Sequence, residues 1–344
     1  MKKWLIAAIS LAIAIVLFMY SNAEAKAAGM TLGYTTGDTA SYNSLAKYHT
    51  YMNSIATDTF AFEKNGHIIG DAPTKQLTYA KKTKIKTWAV ISNYNDAISD
   101  FDGDLASRVI SNKTAKKRFT DQLIALAKKH SYYGINIDFE AVNPEDRSKY
   151  SRFIQDVSQS LKKKQIKAMV SVPAKSADDQ KDGWSWPYDY AKIGKYADYV
   201  QVMTYDEHGI WGDPGSVAST SWIKSSLQFS VKKIKANKVI MGIPAYGYDW
   251  DVKDGSGSTA REWNELKSLI KKQKAKPAFH KKSGSMTFSY VDKKKHKHVV
   301  WYENEKTVQT KSHLAKQYKI AGVSVYSLGN ESESFWKAIQ KGTK

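Results

Sequence analysis

What most constrains this chain is the regular alternation of apolar, β-branched runs with helical patterns. The runs fall at 30–35, 55–62, 85–92, 134–140, 167–173, 199–205, 239–244 and 322–328. Helical periodicity follows them at 41–52, 74–82, 113–130, 145–164, 188–197, 217–236, 308–318 and 333–340. A strand whose next partner lies beyond a helix pairs in parallel, because a tight hairpin can only join antiparallel strands. Eight such units predict a closed (β/α)8 barrel, the TIM barrel. At 344 residues the chain fits one large barrel or two ordinary domains. With no internal repeat or low-complexity linker in view, a single catalytic barrel over 29–344 is the expectation.

The gap between the seventh and eighth runs, about 247–305, is too long for an ordinary loop. It reads as a small α+β insertion, with a helix at 261–272 and hairpin arms at 285–291 and 298–302 joined through a lysine-rich turn. Following a strand, it belongs on the C-terminal face of the barrel, where it can wall a cleft.

Residues 1–25 have the pattern of an export signal. Lys2 and Lys3 precede an apolar run from Trp4 to Tyr20, and Ala23-Glu24-Ala25 offers a cleavage site. An uncleaved membrane anchor is the alternative. The chain has no cysteine, so its fold needs no disulfide. A net charge of +20 implies attraction to a polyanion. The lysine runs lack the clustered arginines and interleaved aromatics of a nucleic-acid groove, so no nucleic acid is expected. Contact with an anionic cell wall is the partner the charge suggests, for a monomer secreted or held at the wall or spore. His296 and His298 face one side of a hairpin without a cluster of acidic or cysteine partners close in sequence, so neither a metal site nor another cofactor is expected.

The chemistry points to the fourth run. Ile135, Ile137 and Phe139 alternate with Asn136, Asp138 and Glu140, which places the three polar side chains on one face, directed into the barrel, with Glu140 nearest the rim. Carboxylates one pleat repeat apart, about 6.6 Å, raise each other's pKa. The outer one then suits a general acid. A structural pair held by lysines or backbone amides is the other reading of the same spacing.

The motif Tyr133-Gly134-Ile135-Asn136-Ile137-Asp138-Phe139-Glu140 resembles the fourth-strand signature of glycoside hydrolase family 18, Asp-Gly-x-Asp-x-Asp-x-Glu. Three further segments are similar to that family in order and place: Gln201-Val202-Met203-Thr204-Tyr205-Asp206, Gly242-Ile243-Pro244-Ala245-Tyr246-Gly247 and Gly322-Val323-Ser324-Val325-Tyr326. The resemblance implies a retaining glycosidase without an enzymic nucleophile, in which the substrate's own 2-acetamido oxygen attacks the anomeric carbon. Glu140 would be acid and then base, Asp138 would stabilise the oxazolinium-like intermediate, and Tyr205 would hold the acetamido oxygen. Gln201, Met203, Asp206, Tyr246 and Tyr326 would line the sugar site.

Two departures stand out: Tyr133 and Asn136 replace the first and middle Asp of the signature. Asn136 cannot share a proton with Asp138 but could still hydrogen-bond it. Tyr326 stands where the family commonly has Trp. Of the aromatics expected at the barrel mouth, Trp211 and His208 closely follow the Tyr-Asp motif and are substrate candidates, whereas Trp184 and Trp186 read as packing residues before Pro187. Asn136 together with the short insertion is most similar to the bacterial spore and cell-wall branch, whose members cleave N-acetylglucosamine-containing peptidoglycan. A chitinase, an endo-N-acetylglucosaminidase and a lectin-like wall protein are the alternatives. Lectin-like members typically replace the Glu that is retained here as Glu140.

Overall fold

The computed structural model describes residues 29–329 and 331–344, so the signal or anchor expected at 1–25 lies outside the described residues. No helix among the described residues is long and apolar enough to cross a membrane. Eight parallel strands form the barrel: β1 (Met30–Thr35), β2 (Ser54–Phe62), β3 (Lys86–Ser92), β4 (Gly134–Asp138), β5 (Lys167–Pro173), β6 (Tyr199–Met203), β7 (Val239–Pro244) and β8 (Gly322–Tyr326). Each pairs with the next, and β1 closes the ring by pairing with both β2 and β8, at Leu32 opposite Ser54 and Met30 opposite Gly322. A closed ring leaves no barrel edge to guard. One short strand, Ile68–Gly70, folds back antiparallel on the end of β2.

The period-2 alternation sorts side chains into two cores. Leu32, Tyr34, Ala56, Trp88, Val90, Met169 and Ile240 fill the lumen. Their chain neighbours, among them Ile55, Ala89, Ile135, Ile137, Val170, Val200 and Val323, pack outward under the helices. Phe139 continues that outer face and stacks on Phe62, Phe153 and Tyr150. Helix starts have a local cause. Asp38, Asn112, Ser219 and Ser332 each accept a bond from a backbone N–H of the first turn that has no partner within the helix.

Three strands end earlier than their apolar runs suggest. The β4 ladder stops at Asp138, β6 at Met203 and β8 at Tyr326, so Glu140 and Tyr205 stand just beyond the sheet, on the first residues of their βα loops. At a barrel's C-terminal rim the chain is released from its neighbours while still pointing along the strand.

Between β7 and β8 the chain builds a five-stranded antiparallel sheet in the order Thr259–Glu262, Tyr246–Asp251, Lys297–Tyr302, Ser285–Val291, Ala278–His280. The predicted hairpin lies within it, Ser289 opposite Val299, and the helix runs Trp263–Gln273 from a capping box made by Glu262 and Glu265. The strand Tyr246–Asp251 was not among those predicted. It also gives the histidines acidic partners distant in sequence, in addition to Asp292, which accepts the His296 N–H at 2.8 Å. His296 Nδ1 lies 2.6 Å from Asp251 and His298 Nδ1 2.8 Å from Asp249, acids brought across the sheet from over forty positions away. Asp251, Asp254 and His296 come together, but both Asp251 oxygens already accept bonds and the Lys253 ammonium sits 3.2 Å from His296 Nε2.

Candidate active site

The polar face of β4 meets different surroundings at each step toward the rim. Asn136 is fully buried: its Oδ1 accepts the Tyr34 hydroxyl at 2.7 Å and its Nδ2 donates to Ser171 Oγ at 2.9 Å. Its amide is thus engaged by β1 and β5, and the expected bond to Asp138 is not among its contacts. Asp138 Oδ1 is buried with no hydrogen-bond partner. Glu140, past the ladder, is fixed through its backbone. Asn93 accepts the Glu140 N–H at 2.8 Å and donates to the Glu140 carbonyl at 2.7 Å and to the Asp102 carbonyl at 3.0 Å. Those three bonds do for Glu140 what the sheet does for Asp138.

Asp138 and Glu140 open on a cleft of about 1250 Å³. Asp58, Asp96, Asp100, Asp138, Glu140, Asp206 and Glu207 all line it, and among the described residues no Lys, Arg or His does. Among the described residues no ion pair involves Asp58, Asp138 or Glu140. Burial without a counter-ion disfavours the charged form. Burial pushes Asp138 up to about 7, the Asp58 carboxylate adds to the shift, and the Ser171 hydroxyl moderates it. Glu140 is driven well above the usual carboxylate range, first by burial and then by the negative charges of Asp138, Asp206, Asp58 and Asp100. A carboxyl that keeps its proton at neutral pH can donate it.

The far wall comes from the ends of β6 and β8. Tyr205 stacks on Tyr326 with ring centroids 6.0 Å apart, and Met203 lines the cleft beside them. A Cβ at Gly242 would lie 2.6 Å from the Tyr205 ring, so only glycine lets that ring seat. Asp206 accepts the hydroxyls of Tyr246 at 2.6 Å and Tyr248 at 2.9 Å. Burial raises its pKa and the two donors offset part of the rise. Two predicted sugar contacts sit elsewhere. Gln201 is fully buried beneath the cleft, donating to Ser324 Oγ at 3.2 Å, and Tyr246 reaches the site only through Asp206. The shortfall at Gln201 is one of depth, since it lies one pleat repeat further into the closed lumen than Met203.

Aromatic faces border the opening. Trp211 is 72% exposed, Trp184 51% and Tyr94 39%, and all three line the cleft. The packing role expected of Trp184 therefore does not hold, while Trp186 does pack, under the Arg147 guanidinium at 3.9 Å. Buried Lys175 fixes the Trp184 loop by donating to the carbonyls of Ser185 and Tyr188. Trp250 is buried and donates to the carbonyls of Gly209 and Gly212, which ties down the loop carrying Trp211. His208 is exposed and does not line the cleft; its Nδ1 lies 3.3 Å from the Asp213 carbonyl and its ring rests against Gly215. Sequence reasoning passed over Asp58, Tyr34, Asn93 and Ser171. Only Asp58 left a signal, as the single acid in the run from Ser54 to Phe62.

Comparison with known proteins agrees with this geometry. The chain is 91% identical to the uncharacterized glycosylase YvbX of Bacillus subtilis (strain 168) over 344 residues, the whole of both chains. Its fold superposes on a chitinase from Chromobacterium violaceum with a TM-score of 0.87 and 34% identity, covering 92% of this chain and 99% of that one. It superposes on the Bacillus megaterium spore cortex-lytic enzyme SleL with a TM-score of 0.85 and 25% identity, covering 92% and 74%. Residues 30–331 match the Glycosyl hydrolases family 18, and with its eight-stranded barrel and its fourth-strand carboxylates the chain belongs to that family of O-glycosyl hydrolases.

Proposed function

We propose that the cleft hydrolyses N-acetylglucosamine-containing glycan of the bacterial wall, peptidoglycan of the spore cortex, by retaining substrate-assisted catalysis. The observation that carries this reading is Glu140 at the cleft mouth, its carboxyl pushed well above the usual range by desolvation and by the neighbouring carboxylates, beside Asp138, which desolvation pushes up to about 7. Glu140 gives its proton to the glycosidic oxygen as the bond from that oxygen to the anomeric carbon breaks. The 2-acetamido oxygen of the same sugar bonds to that carbon, forming an oxazolinium-like ring. Ionised Asp138 accepts the acetamido N–H and offsets the positive charge, and Tyr205 donates to the acetamido oxygen. Glu140, now a carboxylate, takes a proton from water as that water opens the ring, so the configuration is retained. The exposed faces of Trp211 and Trp184 offer stacking surfaces for sugars beyond the reacting one.

A specific observation favours a second substrate, chitin: the superposed Chromobacterium violaceum chitinase shares more identity with this chain than the spore enzyme does. Product analysis on cortex peptidoglycan, chitin oligomers and high-mannose glycopeptide separates the readings, and the proposal expects cleavage of peptidoglycan on the reducing side of N-acetylglucosamine. No cleavage of any of the three overturns it. The net charge of +20 and the basic and apolar start of the chain support an exported, monomeric enzyme resting on anionic wall polymer. Retention on isolated walls through about 0.5 M salt would contradict that tether, because screening at such strength removes contacts between exposed charges.

A further inference from the structure

The cleft holds a half-buried carboxylate on a barrel strand, Asp58, that none of the four motifs contains. Asp58 on β2 lies opposite Val90 of β3, and Val90 lies opposite Asn136 of β4, so Asp58 and Asn136 sit at one level of the barrel on alternate strands. Asp58 follows Ala56 on the lumen face, and the β2 register shifts directly after it, an irregularity of the kind that re-aims a side chain at a barrel rim. It lines the cleft with Asp138 and Glu140, and the Tyr326 hydroxyl points at its Oδ2 from 3.5 Å. Asn136, by contrast, has both ends of its amide taken by Tyr34 and Ser171, and Asp138 Oδ1 is left buried without a partner.

We infer that Asp58 is the second carboxylate of the acetamido site, supplied from β2 where the fourth strand carries an amide, and that Asp58 and Asp138 hold one proton between them in the resting enzyme. The inference rests on the glycosidase reading above. Asp58 acts through Asp138 and Glu140 and is a positioning residue. Its charge keeps a proton on its neighbours until substrate arrives, and its own proton-bound form lets Asp138 carry the single negative charge that the oxazolinium needs. The groups facing it are Tyr34 of β1, Asp138 at the end of β4, Glu140 just past it and Tyr326 of β8, with Tyr205, Asp100 and Asp206 beyond them. None of them is cationic. Burial lifts Asp58 to about 6, partly offset by the Tyr326 hydroxyl, which leaves it and Asp138 titrating side by side. Two such neighbours lose their protons in two steps that belong to the pair.

The test is carboxyl 13C NMR of aspartate-labelled protein, read with the pH profile of hydrolysis. In the wild type, two aspartates are expected to titrate in coupled steps near neutrality. In Asp58→Asn, Asp138 is expected to titrate about one pH unit lower, and both limbs of the rate profile move down with it, with turnover falling about tenfold. Adding Asn136→Asp to that variant returns a carboxylate at the same level of the barrel and restores the coupled titration and most of the turnover. An Asp138 titration unchanged by Asp58→Asn, or wild-type aspartates that all titrate near 4, overturns the inference. The NMR readout needs no substrate, so an inactive wild type would refute the glycosidase reading and leave this one to be decided separately.

Discussion

Two groups of desolvated acids lie in this protein, one fully buried and one half-buried along the cleft, and they are treated in opposite ways. Beneath the insertion, Glu303 is 2% exposed and is held by the Lys311 ammonium, 3% exposed, and by the Ser285 hydroxyl at 2.8 Å. Asp249, fully buried, takes Arg261 at 2.9 Å, Tyr290 at 2.7 Å and His298 at 2.8 Å. In the cleft, no cation among the described residues meets Asp58, Asp138 or Glu140, and none of those residues hydrogen-bonds Asp138 Oδ1. The first arrangement satisfies charge and holds the insertion to the barrel. The second leaves charge unsatisfied, which destabilises the fold and sets up proton transfer. A desolvated carboxylate that has a counter-ion serves the fold, and one that lacks it is available for proton transfer.

The contrast can be broken most severely at Glu140. Glu140→Gln removes the proton donor at nearly constant shape and is expected to lower turnover by about 10²–10⁴-fold, measured on the preferred glycan, with substrate binding retained. The matching change in the paired group is Lys311→Met. It leaves Glu303 buried and uncompensated, so urea denaturation should show a loss of about 3–5 kcal/mol, while the pH profile of the surviving folded enzyme stays in place. A shifted profile would mean that the two groups are not separate.

The smallest effect has the opposite sign. Folded-state pKa values raised above those of the unfolded chain mean that the native state binds more protons, so stability contributed at low pH is lost as pH rises from about 4 through the folded values. Asp58 at about 6 illustrates the window. Glu140→Gln should therefore raise the melting temperature at pH 7, and the gain should vanish near pH 4. A lower melting temperature at pH 7 would show that Glu140 is stabilised in the fold by contacts other than those described.

Local pattern made much of this legible in the sequence. The alternation of strands and helices carries the barrel, and the period-2 face of β4 carries Asn136, Asp138 and Glu140, because both depend on neighbours in the chain. What stayed hidden depends on closure. Asp58 becomes a neighbour of Asp138 only when β2, β3 and β4 come into register, and Asn93 clamps Glu140 across the gap between two loops. The acids that meet His296 and His298 arrive by antiparallel pairing within the insertion. Gln201 was placed on the right face and at the wrong depth, since period tells which side a residue faces and not how far down the lumen it lies.

The account stands on attack by the substrate's own acetamido oxygen, and the stereochemistry of the first product tests that most directly. Time-resolved 1H NMR of fresh hydrolysate from a β-linked N-acetylglucosamine oligomer should show the β-anomer appearing first and the α-anomer only at the rate of mutarotation. An α-anomer formed first would mean direct attack by water, and would contradict the roles assigned to Glu140 and Asp138.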